Sequence, residues 1–417
     1  MAPSTGRTIA VGAIGNVLEW YDFAVYGYFA AAIGRTFFPR EDPVAQVLAA
    51  FGIFAVGFLM RPVGGAVIGH IGDRFGRRAA LTFSVAAMAI PTFLVGVLPG
   101  YQVLGVAAPI LLTLLRMIQG LSVGGEYTTS IVFMVERAPP GRRGLIGAMA
   151  GCGAVGGILL GSATGTLLAE TMSAEALESW GWRIPFLAGL LVGLAGFVLR
   201  RHVQATSKVH QAVRSPLLET MRNHGPLLAR LAALSVFNSV GFYLMFVYIV
   251  SWLELVDGMA PARALGINTI SMAALLPLMV AMGWATDRFG RKPVMLGALV
   301  FGFVGALPFF WLMHHVDPAL VLLGQMGFVV AVGTFVGTQP VIMVEAAPVA
   351  VRCTAIALGY NVTLGVVGGL SPLAATWLVA RTANDYSPAF MIMVAAAISF
   401  AALLRFKESY RSPLEVA

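Results

Sequence analysis

Charged side chains are scarce in the apolar stretches of this 417-residue sequence, and those present recur at helical spacing. Asn16, Glu19, Asp22 and Tyr26 follow one another at three- and four-residue steps. On a single helix they share an arc of about 120° and can face one cavity. Arg116, Gln119 and Glu126 fall within about 80° of one another on a second helix, and Arg61 lies in a third apolar stretch. An ionisable group inside hydrocarbon is costly and is read first as functional. Glu19 and Asp22, one turn apart in a low dielectric, cannot both ionise cheaply. With Glu126 they are the candidate proton carriers. Arg61 and Arg116 carry a planar fork that donates two parallel hydrogen bonds to a carboxylate and stays protonated. They are candidate ligands for an anionic group. In the competing structural reading these five charges neutralise one another and lock helices together.

Beyond residue 228 the balance changes. Every charge there stands at the end of an apolar stretch, and the interior polar groups are neutral: Asn238, Tyr243, Gln325, Gln339, Tyr360 and Asn361. Together with Asn16, Tyr26 and Gln119 they are candidates to bind a substrate through hydrogen bonds and aromatic surface. The first part of the chain then handles charge and proton, and the second part supplies neutral contacts.

The elements that must hold these groups are long and apolar. Hydrophobic residues make up 58% of the chain and charged ones 11%, against about 25% charged in a soluble domain. That composition is of a polytopic membrane protein. The alternating ten-residue segments of a barrel are absent. Runs able to cross a bilayer, about 20 residues each, are predicted at 9–34, 46–70, 79–98, 105–135, 145–171, 182–200, 228–254, 262–286, 292–313, 319–345, 352–380 and 386–405. The first is too long for a signal peptide's apolar core and holds Glu19 and Asp22, so it is kept as a span. With a cytoplasmic N-terminus, only Arg35, Arg40, Arg183, Arg263 and Arg381 of the 27 Lys and Arg residues fall outside the cell, as positive charge on inward loops requires. Both termini are expected inside, in a bacterial-type inner (plasma) membrane. Cations confined to short loops explain the net charge of +8 without nucleic acid.

Two segments repeat. Gly69-His-Ile-Gly-Asp-Arg-Phe-Gly-Arg-Arg78 returns as Gly283-Trp-Ala-Thr-Asp-Arg-Phe-Gly-Arg-Lys292, and Met134-Val-Glu-Arg-Ala-Pro139 returns from Met343 to Pro348 with one change. Copies at matching places make an internal repeat. The chain is therefore read as an all-α membrane protein of twelve transmembrane helices in two pseudo-symmetric six-helix bundles. Residues 1–200 form the first, 201–227 a cytoplasmic linker, and 228–417 the second with a short tail. The paired acids and cations of the repeats, Asp73, Arg77, Asp287 and Arg291, are candidate gating charges. Glu136 with Arg143, and Glu345 with Arg352, are expected to complete their networks. Fifth-span Gly153, Gly157, Gly161 and Gly165 form a packing ladder.

The Gly-x3-Asp-Arg-x-Gly-Arg-Arg/Lys loops resemble the major facilitator superfamily. Gly15-Asn-Val-Leu-Glu-Trp-Tyr-Asp-Phe23, Arg61-Pro-Val-Gly-Gly65, Leu115-Arg-Met-Ile-Gln-Gly-Leu-Ser-Val-Gly-Gly-Glu126 and Trp180-Gly-Trp-Arg-Ile-Pro-Phe186 are similar to its metabolite:proton symporter family, over essentially the whole chain. That resemblance implies the major facilitator fold, alternating access, and proton-coupled import of a small carboxylate-bearing metabolite. The cargo is either an organic acid or a zwitterion such as proline or betaine. A uniporter or exporter of the same fold is the alternative, and a non-transporting sensor a more distant one. The missing Gly-Pro signature in the fifth span argues against efflux. Neither a metal-binding His-Glu-x-x-His nor a phosphate-cradling loop is present, and Cys152 and Cys353 are too scattered for a disulfide framework. No enzymatic activity, cofactor or metal is expected. The partners are a small-molecule substrate, protons and the lipid bilayer, with the monomer as the working unit.

Overall fold

The computed structural model describes residues 17, 20–39, 42–64, 77–122, 126–191 and 216–414. Helices account for the regular structure among them, with no strand. Eight are long and apolar enough to cross a bilayer, and four further segments complete the twelve. The first, α1, is helical over 20–28 and continues through Ala30–Phe37. It is followed by α2 (Pro43–Gly64), α3 (Arg77–Val97), α4 (Ala107–Ser122 and Glu126–Glu136), α5 (Arg143–Thr171) and α6, described over 184–191. The second half holds α7 (Gly225–Leu255), α8 (Pro261–Phe289), α9 (Arg291–Met313), α10 (Pro318–Ala346), α11 (Val349–Thr382) and α12 (Ser387–Leu404). The expected spans are recovered in number and order. Helical residues Pro216–Asn223 occupy part of the expected linker.

Local chemistry sets the helix ends. A proline opens α2, α8, α10 and α12 in the first turn, where its missing N–H is no loss and its fixed φ suits the helix. Asp42 and Asp317 cap α2 and α10, accepting from the N–H groups of Val44 and Ala319 at 2.8 and 2.9 Å. Between α8 and α9 the chain turns at Gly290, whose φ of 101° favours a residue without Cβ. This is the turn the second repeat loop predicts. The end of the bundle carrying it is called the basic end below.

The halves meet along α5 with α8 and α2 with α11. Gly161 and Gly165 of α5 pack on Ala24 of α1 and Leu265 of α8, and Gly157 lies against the backbone of Val17. The predicted ladder is a packing surface at these three rungs. Two π-turns, Leu244–Tyr248 in α7 and Leu364–Gly368 in α11, interrupt the second half. Phe58 of α2 packs against Gly365 and Gly369 beside one and against Tyr243 beside the other.

Candidate functional site

The first-half cluster is built on α1, α3 and α4. The Asp22 carboxylate accepts from Arg116 Nη1 at 3.0 Å and from Gln119 Nε2 at 2.9 and 3.0 Å, and the Thr92 hydroxyl stands 2.7 Å away. Arg116 Nη1 also donates to Gln119 Oε1 at 3.0 Å. All four are buried, Arg116 and Gln119 completely. The Arg116 guanidinium lies 4.3 Å from the Tyr26 ring and 4.6 Å from the Phe23 ring. Its Nε and Nη2 are buried without an acceptor among the described residues. A carboxylate and a guanidinium taken out of water survive only when neighbours complete their hydrogen bonding. Gln119 and Thr92 do so for the acid. The helical arc therefore unites Asp22 and Tyr26, and the charged partner of Asp22 among the described residues is Arg116.

Asn16, Glu19 and Asp73 lie outside the described residues. Arg77 and Glu126 sit in helices, but their side chains are also outside the description. Thr92 was not singled out by the sequence, because a lone hydroxyl in Ala89-Ile-Pro-Thr92 reads as one bonded to its own helix. It does also bond to the Met88 carbonyl at 2.7 Å.

Arg61 lies among rings. Its Cζ is 4.3 Å from Phe58, 4.8 Å from Phe23 and 5.1 Å from Trp20. From these rings an aromatic surface runs into the second half. Tyr243 stands 5.1 Å from Phe58, and Tyr127 of α4, 6.2 Å from Trp20, stands 5.5 Å from Tyr360 of α11. The neutral polar groups divide. Asn238 donates to Gln339 at 2.8 Å, and Gln339 donates to Ser235 at 2.8 Å. Gln325 instead donates to the π-turn carbonyl of Met245 at 3.0 Å and to Asn268 at 3.1 Å. Asn268 in turn bonds Ser162 of α5 at 3.1 Å. Asn361 is half-buried on α11.

At the basic end the described gating candidates form a network of Arg143, Asp287, Arg291 and Glu345 and a pair of Glu136 with Arg352, with a correction to the expected partners. Glu136 does not pair with Arg143, nor Glu345 with Arg352. Each acid reaches the opposite half: Arg143 Nη1 lies 2.7 Å from Glu345 Oε1, and Arg352 forms a close ion pair with Glu136. Related motifs placed symmetrically meet across the interface, so proximity in sequence misassigns the partner. Arg291 grips Glu345 with both arms of its fork, at 3.0 and 3.2 Å, and holds Asp287 at 2.7 Å. Asp287 also accepts from the N–H groups of Gly144 and Leu145 at 2.8 and 2.9 Å. A carboxylate of one half thus caps a helix of the other, where the helix dipole favours negative charge.

The segment after α12 joins this network, which the sequence did not indicate. Glu408 accepts from the N–H groups of Arg291 and Lys292 at 3.0 and 2.8 Å, Ser409 donates to Glu345 at 2.6 Å, and Arg143 donates to the Ser412 carbonyl. At the opposite end, Tyr28 of α1 donates to the Phe246 carbonyl of α7 at 2.8 Å. There too His314 pairs with Asp257, whose carboxyl burial pushes above its ordinary range while His314 pulls the other way. Among the described residues no group of three or more His, Cys, Asp or Glu side chains is placed to hold a metal.

The model of the sugar (and other) transporter family matches residues 8–208 and 269–415. A glycine betaine/proline/ectoine/pipecolic acid transporter of Dickeya dadantii is 34% identical over 427 residues, covering 99% of this chain and 85% of that protein. A proline/betaine transporter of Escherichia coli K12 is 33% identical, with the same coverage. The crystal structure of a D-xylose-proton symporter superimposes with a TM-score of 0.79 at 20% identity, covering 99% of this chain and 100% of that one.

Proposed function

The chain belongs to the major facilitator superfamily of transporters, in its metabolite:proton symporter family, and from that premise we propose that it imports a small carboxylate-bearing metabolite together with protons. The single observation that carries this reading is the Asp22–Arg116 pair, sealed in the first half with Gln119 and Thr92. A proton arriving on Asp22 removes the charge that holds Arg116 Nη1. The freed guanidinium then takes a substrate carboxylate, and loss of the proton restores the pair and expels the cargo. One acid thus trades a proton for an anion, which couples the two flows.

The rest of the site follows from its place between the halves. Tyr26, Arg61 and Gln119, with Asn16 on the same arc, line the first half; Asn238, Tyr243, Gln325, Gln339, Tyr360 and Asn361 line the second. Glu19 and Glu126 assist proton movement. The halves, residues 1–200 and 228–417 joined through 201–227, rock about this site. The basic end is cytoplasmic, in a bacterial inner membrane, and its charge network with Asp73 and Arg77 is the inner gate. The monomer is the working unit.

Proteoliposomes test the coupling. Substrate uptake should make the external medium more alkaline, and Asp22→Asn should abolish gradient-driven accumulation while sparing exchange. Accumulation retained by Asp22→Asn defeats the proton role.

A further inference from the structure

We propose that Thr92 is a positioning residue for the proton on Asp22: its hydroxyl turns between two acceptors and gives the carboxyl a complete set of hydrogen bonds both with and without that proton. The proposal rests on the symport reading, in which Asp22 takes up and releases the proton.

Hydrogens and acceptors around Asp22 can be counted. Arg116 Nη1 carries two hydrogens, which go to Asp22 Oδ2 and Gln119 Oε1, both at 3.0 Å. Gln119 Nε2 carries two more, for the Asp22 carboxylate at 2.9 and 3.0 Å and for Thr92 Oγ1 at 2.8 Å. The bond from Arg116 fixes which end of the Gln119 amide is oxygen, because a flipped amide would set N–H against N–H. One hydrogen remains, that of the Thr92 hydroxyl. Two acceptors stand 2.7 Å from its oxygen, Asp22 Oδ1 and the Met88 carbonyl. A hydroxyl donates only once.

Each protonation state of Asp22 selects one of the two. With Asp22 ionised, the hydroxyl donates to Oδ1, because a charged acceptor makes the stronger bond. With Asp22 protonated, the new O–H needs an acceptor of its own. The other neighbours of the carboxyl among the described residues, Arg116 Nη1 and Gln119 Nε2, are donors and cannot serve. Thr92 Oγ1 can. It keeps a lone pair after accepting from Gln119, and its own hydrogen turns to Met88 on the same helix. The proton is thereby assigned to Oδ1, which leaves Oδ2 as a neutral acceptor facing Arg116. Asp22 loses its charge with no heavy atom displaced, so the proton can arrive before the guanidinium moves.

Packing holds the oxygen in place while its hydrogen turns. Thr92 is 3% exposed, and α6 presses on its methyl group: a Cβ on Gly189 would lie 2.5 Å from Thr92 Cγ2. A β-branched side chain held in this way has little freedom at χ1. Valine has nearly the same shape and lacks only the hydroxyl.

Infrared spectroscopy of the purified full-length protein, stepped from neutral to acidic pH, reads the carbonyl stretch of a protonated carboxyl. The band that Asp22→Asn removes belongs to Asp22. In the parent protein it should lie at the low frequency of a carboxyl whose O–H is hydrogen-bonded. Thr92→Val should shift it to the higher frequency of a carboxyl whose O–H has no acceptor, and Thr92→Ser should return it. An unshifted band in Thr92→Val overturns the assignment. So does a parent band already at the unbonded frequency, or a spectrum from which Asp22→Asn removes nothing. Those two outcomes need no variant of Thr92, so the proposal can be refuted even if Thr92→Val does not fold. Alkalinisation of the medium during uptake by proteoliposomes scores symport separately. Alkalinisation with an unshifted band removes the hydroxyl switch and leaves symport, while a shifted band without alkalinisation does the reverse.

Discussion

Arg143 on α5 and Glu345 on α10 belong to different halves, and they meet with 2.7 Å between Nη1 and Oε1. The Glu345 side chain is 2% exposed and is held at once by Arg143, both arms of Arg291, and the Ser409 hydroxyl. One carboxylate therefore joins α5, α9, α10 and the segment after α12, and on the proposed gating role these contacts part when the basic end opens. Replacing it takes a carboxylate from Arg143 and from Arg291, which keeps only Asp287. Glu345→Gln should weaken closure by about 1–3 kcal/mol, the cost of leaving buried groups unpaired. Half-buried Cys152, on α5 beyond Arg143, reports this directly. In a Cys353→Ser background its alkylation from the basic side should quicken at least tenfold. An unchanged rate would mean that the network does not control access.

A second prediction concerns the approach of α5 and α8. A Cβ on Gly283 would lie 2.7 Å from the Gly144 carbonyl oxygen, a distance that backbone cannot relieve cheaply. Gly283→Ala should push the helices apart at a cost of about 1–3 kcal/mol, as overpacking does, and should also speed Cys152 alkylation. Gly297→Ala meets nothing within 4 Å and serves as the control. Equal behaviour of the two variants would refute the close-contact reading.

Much of this was legible beforehand. The twelve apolar runs and the Gly290 turn could be read because hydropathy, turn chemistry and exact repeats are local properties. Partner choice was not, as Glu136 shows: it ignores Arg143 seven residues away and pairs with Arg352. Pseudo-symmetry brings distant copies together, and no spacing rule encodes that. Thr92 and Glu408 were missed for a related reason. A hydroxyl in an apolar helix and an acid past the last span acquire meaning only from what folds against them.

Glu408 leads to a third prediction. Its carboxylate accepts from the first two N–H groups of α9 and so caps that helix from beyond α12. Loss of a cap of this kind costs about 0.5–2 kcal/mol. Glu408→Ala should raise Cys152 reactivity severalfold and lower the unfolding temperature modestly. Glu408→Asp, with a shorter reach, should fall between. If removing the carboxylate changes unfolding temperature alone, the terminal segment is an anchor rather than part of the gate.

Arg116 carries the fourth. Lysine keeps the charge but loses the planar guanidinium, whose Nη1 bonds both Asp22 and Gln119 and whose Nε and Nη2 are left to donate to a ligand. Arg116→Lys should weaken apparent substrate affinity about tenfold or more, the worth of one charge-assisted hydrogen bond, while the protein still folds and reaches the membrane. Substrate binding equal to that of the parent protein would remove Arg116 from the ligand set.

The last prediction concerns the end opposite the gate. Asp257 follows α7, and its Oδ2 is buried without a hydrogen-bond partner among the described residues. Burial raises its carboxyl above the ordinary 3.8, Asp385 adds to the rise, and His314 partly offsets it. Trp252 and Tyr386 pack on His314, and the Trp252 indole donates to the Asp385 carbonyl at 3.1 Å. A carboxyl whose folded pKa is raised holds its proton more tightly when folded than when unfolded. Its contribution to stability is therefore largest below 3.8 and declines as pH rises through the raised value. Thermal unfolding of the purified protein, followed from mildly acidic to neutral pH, should show this decline, and Asp257→Asn should flatten it because an amide does not titrate. A slope identical in the two proteins would assign the pH dependence to other groups.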